Sequence, residues 1–200
     1  MEAVENKVRL IHGFGINDAD YHVQPRVNGA QAVCPAYKAW KNMIGRVYSH
    51  LSLNKYPTYQ GSSICNEWRS FMRFREWWLE HHVDGWHLDK DILSSERKYS
   101  PETCIYIPEW LNCFASGLRE NTRDLPIGVS IHRQSGKYHS RCNNPISKKQ
   151  EHLGLFLSAE DAKRAWSERK KEFAMMIKIE TDKIDERIYP SLIIAIGEKK

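Results

Sequence analysis

The sequence predicts an α+β chain, and three observations carry that expectation. Apolar residues recur at helical spacing through the first half, short alternating segments cluster between residues 127 and 156, and one amphipathic stretch follows from Ser158. With 41% hydrophobic and 11% aromatic residues over 200 positions, the chain can bury a core, which predicts a globular and not a disordered chain.

Residues 1–33 carry Gly, Asn, Asp and Pro in "GFGINDADYHVQPRVNGAQ", a composition that favours turns and at most a short strand or arm. From Pro35, a residue suited to a first helical turn, Tyr37, Trp40, Met43, Ile44 and Val47 recur at helical spacing and predict a helix to about Leu51. "YPTYQGSS" breaks the pattern. "CNEWRSFMRFREWWLEHH" resumes it with Trp68, Phe71, Phe74, Trp77 and Trp78, a stripe whose ordinary reading is core.

After Gly85 come "WHLDKDIL", the polar turn "SSERKYSPE" and "TCIYIPEWLNCF", two alternating segments that suggest a hairpin. "PEWLNCF" is compatible with either a helix start or a strand end. "ASGLRENTRDLP" separates two patterned regions and reads as a linker over 116–126. Strands follow near 127–133, 136–142 and 150–156. In the helix after them, Ser158 is the expected N-cap, Glu160 and Asp161 fall in the first turn, and Ala162, Ala165, Trp166, Arg169 and Phe173 mark one face.

The formal charge is +5, from 30 basic against 25 acidic residues, an excess that suits a polyanionic partner without requiring one. No stretch approaches the ~20 apolar residues of a membrane span, and "MEAVENKVRL" lacks the apolar core of a signal peptide, so an intracellular protein with no membrane partner is expected. Cys34, Cys65, Cys104, Cys113 and Cys142 form no CxxC pair. Neither a disulfide framework nor a zinc site is therefore signalled.

Side chains alternate across a strand, so in "KYHSRC" Lys137, His139 and Arg141 share one face while Tyr138, Ser140 and Cys142 share the other. A cationic ribbon of this kind can enter a major groove, although a charged strand face is often merely solvated. The segment "IGVSIHRQSGKYHSRCNN...EHLGLFLSAEDAKRAWSERKKEF" resembles the Apetala/ethylene-response-factor DNA-binding domain at Gly128, Val129, Gly136, Lys137, Arg141, Leu153, Gly154, Phe156, Glu160, Ala162 and Ala165. Tyr138 stands where the family has Trp, and Trp166 where it has Tyr. The resemblance spans about 127–173 and implies a three-stranded antiparallel sheet packed on one helix. It places Arg133, Lys137, His139, Arg141 and His152 at double-stranded DNA.

The segments "GFGINDADY", "CPAYKAWKNMIGRVYS", "CNEWRSFMRFREWW" and "LDKDIL...YSPETCIYIPEWLN" are similar to bacteriophage proteins described as HNH-type homing endonucleases. That resemblance implies a helical and ββα-metal (HNH-like) domain over 1–115, followed by the 116–126 linker, the DNA-binding domain over 127–176 and a C-terminal extension over 177–200. It further implies a DNA endonuclease or nickase acting in the cytoplasm of an infected bacterial host. Asp89 and Asn112 would ligate Mg2+ or Mn2+, both supplying the hard oxygen these ions prefer. The general base would follow Asp89, but that position holds Lys90 where the family has His. A protonated ammonium is a poor base, so the role would fall either to Lys90 with its pKa lowered by burial or to His87, two residues before Asp89 on the same strand face. The departure keeps a second expectation open, a catalytically inactive HNH-like core that binds DNA or inhibits a host protein. A purely structural core with "LDKD" as surface charge is the third.

Overall fold

The computed structural model of the chain describes residues 9–116, 118 and 124–198, and within these the architecture is mixed α+β. In chain order the first part runs β1 (Arg26–Val27), β2 (Ala30–Gln31), α1 (Pro35–Tyr48), α2 (His50–Lys55), β3 (Ser63–Ile64) and α3 (Phe71–His81). The middle comprises β4 (His87–Asp89), β5 (Lys98–Tyr99), β6 (Ile105–Ile107) and α4 (Glu109–Ser116). The last part runs β7 (Val129–Ile131), β8 (Tyr138–Asn143), β9 (Gln150–Phe156), α5 (Ala159–Met176), α6 (Lys178–Ile184) and α7 (Ile188–Glu198). No helix among the described residues is long and apolar enough to cross a membrane. The chain divides into two compact units, Met1–Asp84 with Glu96–Ile105, and Gly85–Ser95 with Tyr106–Lys200.

The first unit is organised by aromatic burial. Tyr37, Trp40, Met43, Ile44 and Val47 of α1 are all buried, as their spacing predicts. The helix itself stops at Tyr48, before the expected Leu51, because Ser49 is extended and a separate short helix begins at His50. The aromatic stripe is also split. Trp68 lies on a 3₁₀ turn, whereas Phe71, Phe74 and Trp77 lie on α3, which starts at Phe71 because the Ser70 side chain accepts a hydrogen bond from Arg73 N–H. Asp18 reinforces that start, accepting from Met72 N–H at 3.0 Å and from the Ser70 hydroxyl at 2.6 Å. Trp40 Nε1 donates to the Trp68 carbonyl at 2.7 Å, so the largest buried ring on α1 is also satisfied as a donor. Gly15 lies against this core. A Cβ there would stand 2.5 Å from Ile44 Cδ1 and 2.7 Å from Trp40 Cζ2, so only glycine lets the N-terminal segment approach α1.

In the second unit β7, β8 and β9 form an antiparallel sheet in that order, with α5 packed on it. The strands fall within or close to the ranges expected from the sequence. Ser158 caps α5 as expected, its hydroxyl accepting from Asp161 N–H at 3.0 Å. The buried face of α5 comprises Ala162, Trp166, Lys170, Phe173 and Ala174, while Ala165 and Arg169 are only half-buried. Gly128 and Trp166 require each other's geometry. Gly128 has φ +78°, and a Cβ would fall 2.0 Å from Trp166 Cδ1, so backbone and indole pack in direct contact. The 177–200 extension supplies α6 and α7, and α7 packs on α5 with Ile188, Leu192 and Ile196 buried along one face. Of the linker expected at 116–126, residues 117 and 119–123 lie outside the described residues.

Lys170 is a buried cation that hydropathy would not place inside. Its Nζ donates to the Phe114 carbonyl of α4 at 2.9 Å and stands 3.6 Å from the Phe114 ring centroid. Burial outweighs these contacts and lowers its pKa from the ordinary 10.5 to about 8. Between those values the unfolded chain holds the proton that the folded chain has released, so stability rises with pH. Below pH 8 both states are charged and the cost of burial is fully present. The unfolding free energy of wild type relative to Lys170→Met is expected to rise by about 2 kcal/mol between pH 7 and 10, since a proton held by the unfolded chain alone contributes about 1.4 kcal/mol for each pH step of one. Urea titrations of both proteins over that range check this, because the opposing ionisation of the half-buried Cys65 and buried Cys142 thiols is common to the two.

Candidate nucleic-acid interface

Register fixes which side chains share the outer face of the sheet. Ser130 pairs with His139, His139 with Leu155, Arg141 with His152 and Asn143 with Gln150. Directly opposed residues point the same way, so these seven share one face, while Ser140 and Cys142 are buried on the α5 side. A β-bulge between Ser140 and Arg141 shifts the pairing of β9. It places His152 opposite Arg141 and beside His139.

Three imidazoles gather there. His139 Nε2 and His152 Nδ1 are 2.5 Å apart, their ring centroids lie 4.5 Å apart, and His132 meets His139 edge to face at 6.1 Å. The His132 Nδ1 is also held by Ser135 Oγ at 2.9 Å, within the β7–β8 turn that carries Arg133. Partial burial, then Arg141, His152 and His132 in turn, lower the pKa of His139, each disfavouring a further positive charge. Arg133, Lys137, Arg141 and His152 are exposed, whereas His139 is half-buried among its neighbours.

The described outer face contains no carboxylate. Glu151 pairs with Cys142 and therefore belongs to the α5 side, where Arg169 Nε donates to it at 2.8 Å and Asn144 Nδ2 at 2.8 Å. These hydrogen bonds hold its carboxyl below the usual range. The face thus presents positive and protonatable groups together with the amides of Asn143 and Gln150, which are joined at 3.1 Å. Sequence reasoning does not single out Ser130, His132, Asn143, Gln150 or Leu155. Alternation from Arg141 reaches Asn143 directly. Gln150 and Leu155 need the register across the bulge, which no local pattern encodes.

The Asp89 segment is built differently. Asp89 is buried at the end of β4, which pairs with β6, and its Oδ1 accepts from Asp91 N–H and Ile92 N–H at 2.8 Å each. This carboxylate oxygen closes its own loop, so a cation there would compete with two amides. Lys90 is buried and ion-paired with Asp91. His87 is exposed although it stands two residues before Asp89, and Asn112 is half-buried on α4. β4 pairs with β6, β5 lies between them in the chain and pairs with β3, and α4 follows β6, with Asp89 and Asn112 both in the second compact unit. Among the described residues, no group of three or more His, Cys, Asp or Glu side chains is placed to hold a metal ion. Cys34, Cys65, Cys104, Cys113 and Cys142 are free thiols.

Comparison with protein-family models, curated proteins and solved structures yields no match to this chain.

Proposed function

We propose that this chain binds double-stranded DNA through the outer face of the β7–β9 sheet. The observation that carries this reading is charge segregation within one small sheet. Arg133, Lys137, Arg141, His139 and His152 lie on or beside the outer face, while Glu151 is turned to the helix side and neutralised by Arg169. A merely solvated strand face gains nothing from excluding carboxylates, whereas a phosphate-binding face does. Arg141, Asn143 and Gln150 are side chains that can bond base edges in a major groove wide enough for a β-ribbon.

Charge reversal at Lys137 and Arg141 is the direct test. Binding to duplex DNA should weaken sharply, and the slope of log K against log salt should flatten by roughly 0.9 for each phosphate that is no longer neutralised. Wild-type affinity and slope in the double variant would remove the sheet from the interface.

The imidazoles add a dependence on pH. His139 has a lowered pKa beside His132, His152 and Arg141, with Lys137 and Arg133 on the adjoining turn, so the free face resists a further proton. Phosphates favour the protonated His139 ring, and binding then takes up a proton there. Affinity should rise as pH falls from 7.5 to 5.5, and the rise should shrink in His139→Gln. Fluorescence anisotropy at constant salt across that range checks both outcomes.

A second reading is metal-dependent cleavage of the bound DNA, supported by the order β4, β6, α4 and by the presence of Asp89 and Asn112 on those elements. Asp89 and Asn112 would hold Mg2+ or Mn2+, which supplies charge stabilisation to the cleaved phosphate, and His87 or Lys90 would accept a proton. The engagement of Asp89 Oδ1 by its loop and of Lys90 by Asp91 favours the non-catalytic alternative. Plasmid nicking with Mg2+ or Mn2+ separates the two. If the chain is a nuclease, Asp89→Asn, which keeps an acceptor for the loop amides, should abolish nicking with DNA affinity retained. Binding without nicking under either metal leaves the inactive core.

A further inference from the structure

The first unit carries a polar surface that the sheet and the Asp89 segment do not account for. A cleft of about 310 Å³ opens beside the Ile11–Gly15 turn, the end of α1 and the start of α2. Its polar side chains are His12, Lys41, Asn42, Arg46, Ser49 and Ser52, and Gly45 completes the lining. Every one of these six can donate a hydrogen bond, and none is a carboxylate.

Two features make this more than a charged helix end. Among the described residues, the side chains of His12, Lys41, Asn42, Ser49 and Ser52 have no hydrogen-bond or ion-pair partner, so five donor-bearing groups line one cleft unengaged. Arg46 is already oriented, its guanidinium donating to the Tyr99 hydroxyl. The carboxyl end of α1 does favour nearby cations, but the charge it presents is only about half a unit, and Lys41 and Arg46 together exceed it. The excess suits an anion with several acceptor oxygens.

We propose that this cleft binds a phosphate group, as a monoester or diester. Lys41 and Arg46 provide charge-assisted hydrogen bonds, and the two serine hydroxyls with the Asn42 amide satisfy the remaining oxygens. The volume lies near the lower end of the roughly 300–1,000 Å³ of small-molecule sites. The phosphate could come from a nucleic-acid backbone or from a soluble phosphate ester, and the test separates these sources.

The full-length protein is titrated with inorganic phosphate at constant ionic strength, and amide ¹H–¹⁵N shifts are followed. Saturable shifts are expected at Gly45 and Ser49 and should be lost in Lys41→Glu. Gly45→Ala is the second variant. A Cβ there meets His12 Nε2 at 3.5 Å, an ordinary contact, so the fold should hold while a methyl displaces polar contact at the imidazole. Duplex-DNA affinity is measured against salt in parallel. If the phosphate belongs to DNA, Lys41→Glu flattens the log–log slope by ~0.9, as expected when one phosphate is no longer neutralised. Saturable phosphate shifts with an unchanged DNA slope assign the cleft to a soluble phosphate ester. This holds whether or not the sheet binds DNA. Linear, unsaturable shifts in wild type, or shifts that persist unchanged in both variants, overturn the proposal.

Discussion

Alternation along β8 is the constraint on which the second unit depends. Ser140 and Cys142 are buried against α5, and the pleat then sends His139, Arg141 and Asn143 to the opposite side. A slip of one residue would put a guanidinium into the helix interface, where an unpaired charge costs several kcal/mol. The register is therefore held by what α5 will accept. Gly128 tightens it further, since its backbone lies in contact with the Trp166 indole and Arg141 N–H donates to the Gly128 carbonyl at 3.0 Å. The same residues that pack the helix thus aim the cations outward, and no separate device is needed to create a positive face.

Electrostatics on the two sides of the sheet follow from this sorting. The Glu151–Arg169 pair is about one-third exposed on each partner, at 31% and 29%, and an ion pair so wetted adds little to stability. Its consequence is positional. It keeps the strand's acidic side chain on the helix side, where its field is offset by a guanidinium. The outer face has no such compensation, and His139 feels Arg141 and two further imidazoles. A surface arranged in this way stores mutual repulsion that a polyanion would relieve.

Much of this is legible in the sequence, and the illegible part has identifiable causes. The α1 stripe, the Ser158 cap and the three strands are readable because each is a local signal: helical period, a hydroxyl before an acidic turn, and alternation. Ser70 shows the limit of period alone. The aromatic spacing runs continuously from Trp68 to Trp78, yet a capping hydroxyl divides it into a turn and a helix. The outer face is readable at Lys137, His139, Arg141 and His152, and alternation extends it to Asn143, but Gln150 and Leu155 depend on pairing across a bulge. By residue chemistry Lys90 and Lys170 belong to a surface or a site. Burial of each is set by partners that composition cannot show, Asp91 for one and the Phe114 carbonyl for the other. Within the candidate catalytic segment, residue types are readable while their engagement is not, because Asp89 bonds the backbone of its own loop.

Lys170 also bears on how α4 associates with the rest of the second unit. Its ammonium reaches across 56 residues of sequence to the carbonyl of Phe114, near the end of α4, where that helix leaves its last carbonyls without intrahelical partners. A methionine at this position would fill similar volume without the desolvation cost, so packing alone does not explain a lysine. An ammonium instead adds direction, since it must find an acceptor, and the carbonyl at the end of α4 answers only one placement of that helix against α5. The lysine thus sacrifices stability near neutral pH to fix where α4 docks. The division of the chain agrees, since Tyr106 onward falls in the same compact unit as the sheet and α5. Whatever the Asp89 segment does, its helix is positioned by the same element that orients the cationic face.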